Sequence, residues 1–156
     1  MRTAEVAIES CAAGRGHGVA HAERMTLFVP GALPKDVVEI RWEPPSGKRG
    51  WAVARAVRLV EASPLRAVPP CPHACTQPEN VGESCGGCPW MALLREEQVR
   101  QKIAIARHAF RGFSLPDPIV PRIPGQNERL RCRSRMNAAG GKLGFFAALS
   151  SHVVDI

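Results

Sequence analysis

The stretch Val37-Val38-Glu39-Ile40-Arg41-Trp42, closed by Glu43-Pro44-Pro45-Ser46-Gly47, decides the fold. β-Branched and aromatic side chains favour an extended backbone, and two prolines followed by a glycine stop it from running on. Working outward, Val6-Ala7-Ile8-Glu9, Met25-Thr26-Leu27-Phe28-Val29 and the run from Trp51 to Val60 read as further strands. Gly14-Arg15-Gly16-His17-Gly18 and Pro30-Gly31 supply the turns between them. Several short strands within roughly sixty residues predict a small closed or nearly closed barrel of the oligonucleotide-binding kind, because closure removes exposed edges.

Beyond residue 62 the pattern changes. From Ser63 to Gln77 the chain is rich in Pro and Cys and keeps no period, so it reads as a ligand-bearing loop. From Pro89 to Arg111, Val99, Ile103, Ala106 and Phe110 fall at helical spacing, with Pro at the start and Gly112 past the end. Leu115 to Gly125 carries four prolines and predicts an extended connection. Arg129 to Asn137 alternates, and Lys142 to Leu149 follows Gly140-Gly141, which predicts a hairpin. The expected architecture is mainly β with one long helix, divided as a barrel over 1–62, a cysteine segment with helix and connection over 63–125, and a third region opening at 126–156.

Composition bounds the function. With 45% apolar and 22% charged residues among 156, the chain builds a core and is neither disordered nor collagen-like. Six Cys are too few for a secreted disulfide scaffold of this length, so metal or cluster ligation is the better reading. No apolar leader core follows Met1, and no run approaches the roughly 20 apolar residues of a spanning helix, so a cytoplasmic protein without membrane association is expected. The net charge is +7, and residues 63–156 hold +5 of it, from twelve basic and seven acidic side chains. Seventeen of the 21 basic residues are Arg, whose planar fork suits phosphate contact; nucleic acid is the natural partner.

Cys85-Gly86-Gly87-Cys88 carries the strongest chemical signal, preceded by Cys71-Pro72-His73-Ala74-Cys75. Two Cys separated by two residues let both thiolates reach one metal from a tight turn, and the glycines let amides approach the sulfurs. Cys71 reads as the third ligand and Cys75 as either a ligand or a bystander. His73 and His17 read first as solvated loop histidines, and Cys11 and Cys132 as small buried hydrophobes. In Arg129-Leu130-Arg131-Cys132-Arg133-Ser134-Arg135-Met136, period two places Arg129, Arg131, Arg133 and Arg135 on one face. Four like charges in a row call for an anion, such as a phosphate backbone, or for nearby carboxylates. No glycine fingerprint lies between a strand and a helix, and no nucleophile with base and orienting acid can be assembled, so no catalytic residue is assigned.

With these residues in hand, the chain resembles the amino-terminal part of the RNA uracil-C5 methyltransferases, which act on ribosomal or transfer RNA. Gly14 to Ala20 and Val29-Pro30-Gly31-Ala32-Leu33-Pro34 resemble its RNA-binding TRAM barrel. Ser63-Pro64, Arg66, Pro69 to His73, Cys85 to Cys88, Gln98 and Lys102 resemble its iron–sulfur segment. Arg129 to Met136 and Gly141 to Phe145 resemble the opening hairpin of its central domain. The resemblance implies a 4Fe–4S cluster held by Cys71, Cys85 and Cys88 with a fourth Cys expected beyond Ile156. It also implies S-adenosylmethionine bound by a domain not contained here, and RNA rather than DNA as partner, met by Arg15, His17 and the four hairpin arginines. Two other readings stand beside it: an RNA-binding module with structural zinc on Cys71, Cys75, Cys85 and Cys88, and a small electron carrier, which the +7 charge and the loose Cys spacing disfavour.

Overall fold

In the computed structural model, residues 1–47, 49–113 and 133–156 are described. Strands β1 (Arg2–Ala7), β2 (Ser10–Cys11), β3 (Gly18–Ala22), β4 (Met25–Val29), β5 (Val37–Trp42), β6 (Trp51–Val53) and β7 (Arg55–Glu61) build an amino-terminal β-domain. They form two open sheets, β1-β5-β7 and β2-β3-β4-β6. The expected closed barrel is therefore corrected to two sheets over one core. The run from Trp51 to Val60 explains the difference, since it breaks at buried Ala54 into β6, which pairs in parallel with β4, and β7, which pairs antiparallel with β5. A strand that turns a corner serves both sheets without a continuous ladder around the domain.

Period two dictates the interior. In β5, Val38, Ile40 and Trp42 are buried while Arg41 is exposed, and Leu27 and Val29 of β4 meet them from the other sheet together with Val6, Ile8, Ala20, Ala52 and Ala54. The hairpin β3–β4 was not foreseen in full, since Gly18–Ala22 lies directly after the glycine loop. Its two linking residues, Glu23 and Arg24, both have positive φ (49° and 62°), the left-handed pair that matches hairpin twist.

Downstream, a 3-10 turn over Pro78–Asn80 precedes α1 (Arg95–Phe110). The helix was expected from Pro89, and it begins later for a backbone reason. The Ala67 amide donates to the Ala92 carbonyl (2.8 Å), and the Leu94 amide to the Leu65 carbonyl (2.9 Å), so residues 92–94 are already committed to the 65–67 segment. Glu96 and Glu97 in the first turn and Arg107 and His108 in the last complement the helix dipole. Of its residues only Glu97 is buried, and the expected stripe of Val99, Ile103, Ala106 and Phe110 is at best half-covered, with Phe110 exposed.

Strands β8 (Asn137–Ala139), β9 (Lys142–Phe146) and β10 (Val153–Asp155) form a small antiparallel sheet in the order β10-β9-β8. Gly140 and Gly141 close the predicted hairpin with φ of 57° and 76°. Its first strand is shorter than expected. Arg133 to Met136 is exposed and lies outside any strand, because nothing in the described residues offers the Ser134–Met136 side a surface to pack on. Arg129, Arg131 and Cys132, and the Pro-rich connection from Leu115 to Gly125, lie outside the described residues.

Candidate functional site

A buried ion pair fastens the cysteine segment to the β-domain. Asp36, in the turn before β5, is fully buried, and the partly covered Arg66 reaches it from the segment. Arg66 Nε donates to Asp36 Oδ1 (2.8 Å) and Nη2 to Oδ2 (2.6 Å), a two-pronged contact that suits a planar guanidinium. The same carboxylate accepts the amides of Leu33 (2.6 Å) and Ser63 (3.0 Å), so every lone-pair direction has a donor. Arg66 Nη1 also donates to the carbonyl of Thr76 (2.8 Å), inside the cysteine segment. The sequence reading passed over Asp36, because one Asp in a turn carries no spacing signal; only its partner, Arg66, was noticed through the resemblance.

Two further contacts bring the glycine loop to the cysteine turn. Trp90 Nε1, two residues past Cys88, donates to the Gly16 carbonyl (3.0 Å). Gly16 has φ of 65°, and a Cβ there would fall 2.4 Å from Trp90 Nε1, so only glycine fits against the ring. Lys102 of α1 sits over the other part of Trp90, its Nζ 5.8 Å from the ring centroid. Behind them Gln101 Oε1 accepts the Cys11 amide (2.9 Å), and Cys11, Leu33, Ala92 and Leu93 form a second small apolar cluster.

The cysteine turn itself is stitched on both sides. The Cys85 amide donates to the His73 carbonyl (2.8 Å), and the Gly86 amide to the Phe146 carbonyl (3.0 Å), so this turn lies between residues 73–74 and the β9–β10 connection. The Gly87 amide lies 3.4 Å from Cys85 Sγ, the contact that stabilises a thiolate. The Ala74 amide donates to the Cys71 carbonyl (3.2 Å), tying the Cys71 turn to the strand-like bridge at Cys85. Cys71 and Cys85 are half-buried and Cys88 is exposed. Among the described residues, no group of three or more His, Cys, Asp or Glu stands ready to hold a metal ion. Cys75 faces elsewhere: a Cβ on Gly31 would lie 3.1 Å from its Sγ, and the thiol donates to the Gln77 carbonyl (3.1 Å). Burial holds its thiol above the ordinary range.

Of the residues expected to meet RNA, Arg15 is exposed and His17 half-buried, and both border a hollow of about 870 Å³ shared with Cys75, Cys85 and Phe146. Burial, and then the Arg15 charge, lower the His17 pKa, which favours a neutral imidazole. A second hollow, of about 620 Å³, lies between the glycine loop, Cys88, Trp90, Arg95 and Lys102. Arg133 and Arg135 are exposed and apart from both linings. Cys11 is inert: burial, aided by Glu97 and Asp36, pushes its thiol up to about 12. No helix among the described residues is long and apolar enough to cross a membrane.

No family model matches the chain. Among curated proteins it is 37% identical over 157 residues to an uncharacterized RNA methyltransferase of Bdellovibrio bacteriovorus, covering 95% of this chain and 36% of that protein. An uncharacterized RNA methyltransferase of Agrobacterium fabrum is 31% identical over 159 residues, covering all of this chain and 36% of its own length. The 23S rRNA (uracil(1939)-C(5))-methyltransferase RlmD of Acidithiobacillus ferrooxidans is 33% identical over 148 residues, covering 90% of this chain and 31% of that protein. The chain thus spans about a third of the length of the curated relatives it matches.

Proposed function

From the premise that this chain belongs to the RNA methyltransferase family, we propose that it is the RNA-binding and cluster-bearing portion of an S-adenosylmethionine-dependent uracil-C5 methyltransferase acting on ribosomal or transfer RNA. The observation that carries this reading is the hollow in which the Arg15–His17 loop and the Cys85 turn face each other, because it sets a cationic loop of the β-domain against the cysteine segment. Cys71, Cys85 and Cys88 would hold a 4Fe–4S cluster with a fourth thiolate from the part of the protein this chain does not span. The Gly87 amide on Cys85 Sγ supports a thiolate at Cys85, and the stitching of the Cys71 turn to Cys85 supports Cys71 as third ligand. Cys75, protonated and seated under Gly31, serves packing, which disfavours the four-thiolate zinc reading. When bound, the cluster would join loop and neighbouring sheet, turning binding energy into folding energy.

Arg15 is the charge that meets phosphate in this hollow, and neutral His17 offers a ring edge rather than a cation. Methyl donor and uracil fall to the remaining two thirds or so of the relatives' length, and none of these 156 residues is assigned to catalysis. The test is anaerobic purification of the full-length protein. A brown protein whose absorbance and iron are lost in Cys85→Ser and Cys88→Ser supports the reading, and a colourless protein with stoichiometric zinc overturns it. The isolated 156-residue chain should transfer no methyl group to RNA.

A further inference from the structure

We propose that the face of the β-domain at Arg41, Arg55 and Trp51 is a second RNA contact, in which the two arginines take a phosphate and Trp51 stacks a base. It rests on the RNA reading above and lies apart from the cysteine turn. Arg41 in the central strand β5 and Arg55 in β7 are direct cross-strand partners, both exposed. Like charges placed opposite each other on a sheet repel, and neither has an ion-pair partner among the described residues. The neighbouring position is solved differently: Glu39 faces Arg58 in register, and the two form an ion pair at 3.4 Å. A sheet that neutralises one of its cross-strand positions and leaves a second arginine pair bare keeps that pair for an external anion.

A hollow of about 500 Å³ adjoins the pair and is bordered by Arg41, Arg49, Arg55, Trp42 and Trp51. Trp51 is 46% exposed, braced edge-on by Phe28 at a centroid distance of 5.9 Å, with Arg49 5.8 Å above its ring. Trp42 is buried, yet its Nε1 has no hydrogen-bond partner among the described residues. An exposed ring beside unneutralised guanidinium groups, with a spare buried donor, is the chemistry of single-strand binding, in which stacking and phosphate contact are combined.

The occupant is a strand rather than a mononucleotide because the hollows connect. Arg41 and Arg55 also border a hollow of about 790 Å³ that reaches Leu149 to Ser151. Those residues in turn border the hollow holding Arg15, His17 and Cys85. Glu43, Glu79 and Glu83 lie along the same route, so phosphates are confined to its β5–β7 side.

The experiment uses the full-length protein and a labelled single-stranded RNA of mixed sequence, roughly 12 nucleotides long. Trp51→Ala should weaken binding about tenfold, while Trp51→Phe, which keeps a stacking ring, should keep most of the affinity. Arg41→Gln with Arg55→Gln should lower the slope of log affinity against log salt by about 1.4, from roughly 0.7 per lost phosphate contact on a single strand. That double variant should melt no lower than wild type, since it relieves a repulsion. If wild type binds RNA and the variants keep its affinity and slope, this site is overturned while the RNA reading stands. If wild type fails to bind RNA even at low salt, both fall. Equal, Trp51-dependent binding of poly-glutamate would overturn the nucleic-acid assignment in favour of an acidic protein partner.

Discussion

The β-domain and the cysteine segment are held by different physics. In the first, Leu27, Val29, Val38 and Ile40 are fully buried in a shared apolar core, and stability comes from area removed from water. In the second, between Ser63 and Leu94, the buried apolar residues are few, chiefly Pro78, Ala92 and Leu93, and the segment is held by backbone pairing and by Arg66 on Asp36. A core tolerates imperfect neighbours, whereas a polar fastening fails when one partner is lost. The contrast places the ligand-bearing chemistry on the part of the molecule whose shape a bound cluster could fix.

The largest test of this contrast is Asp36→Ala. Removing one partner of a buried, hydrogen-bonded pair leaves Arg66 and two amides uncompensated and should cost about 3–5 kcal/mol, read as a lower urea midpoint. Arg66→Met should cost less, because it removes the charge that Asp36 would be left to pair with only in part through its amides. If Asp36→Ala unfolds no more easily than wild type, the fastening is elsewhere.

Core truncation sharpens the comparison from the other side. Leu27→Ala or Ile40→Ala should cost roughly 2–5 kcal/mol through lost burial and the cavity left behind. Leu93→Ala sits in the small cluster with Cys11, Leu33 and Ala92, where neighbours are fewer and collapse is easier, so it should fall at the lower end. Equal losses at Leu93 and Ile40 would mean that the two regions share one cooperative core. Gly16→Ala comes next, expected at about 1–3 kcal/mol from positive φ and overpacking against Trp90. Its signature is a changed Trp90 environment in fluorescence, absent in a Trp90→Phe background.

What the sequence disclosed follows the same division. Met25 to Val29 and Val37 to Trp42 were legible to the residue, because their apolar residues feed a core and turn residues bound them. The break at Ala54 was not, since a strand that changes sheets keeps an unbroken β-like composition. The Gly140-Gly141 hairpin was legible from its turn; the extent of its first strand was not, because period two in Arg133 to Met136 has no packing partner to enforce it. The Cys85–Cys88 turn announced itself by spacing, whereas Asp36, Arg66 and Trp90 act through contacts 30 to 74 residues apart in sequence, and no local pattern carries those. Arg41 and Arg55 were visible as charges, but only the register makes them neighbours.

The smallest effect belongs to His17, where the two regions meet at the glycine loop. Burial and the Arg15 charge lower its pKa below the ordinary 6.5. The unfolded chain therefore binds this proton at a higher pH than the folded one does. As pH falls through about 6.5, the unfolded state is protonated first and stability declines. The decline continues until the pH passes below the folded value, where both states carry the proton and the loss is complete. Above the unfolded value the contribution is fully present. His17→Gln removes that proton, so the difference in melting temperature between about pH 8 and pH 5 should be smaller in this variant than in wild type. Carboxylates titrating in the same range affect both proteins alike and cancel in the comparison. An acid sensitivity equal in the two proteins would place His17 in solvent, free of the loop, and would remove the physical basis for a neutral imidazole beside Arg15.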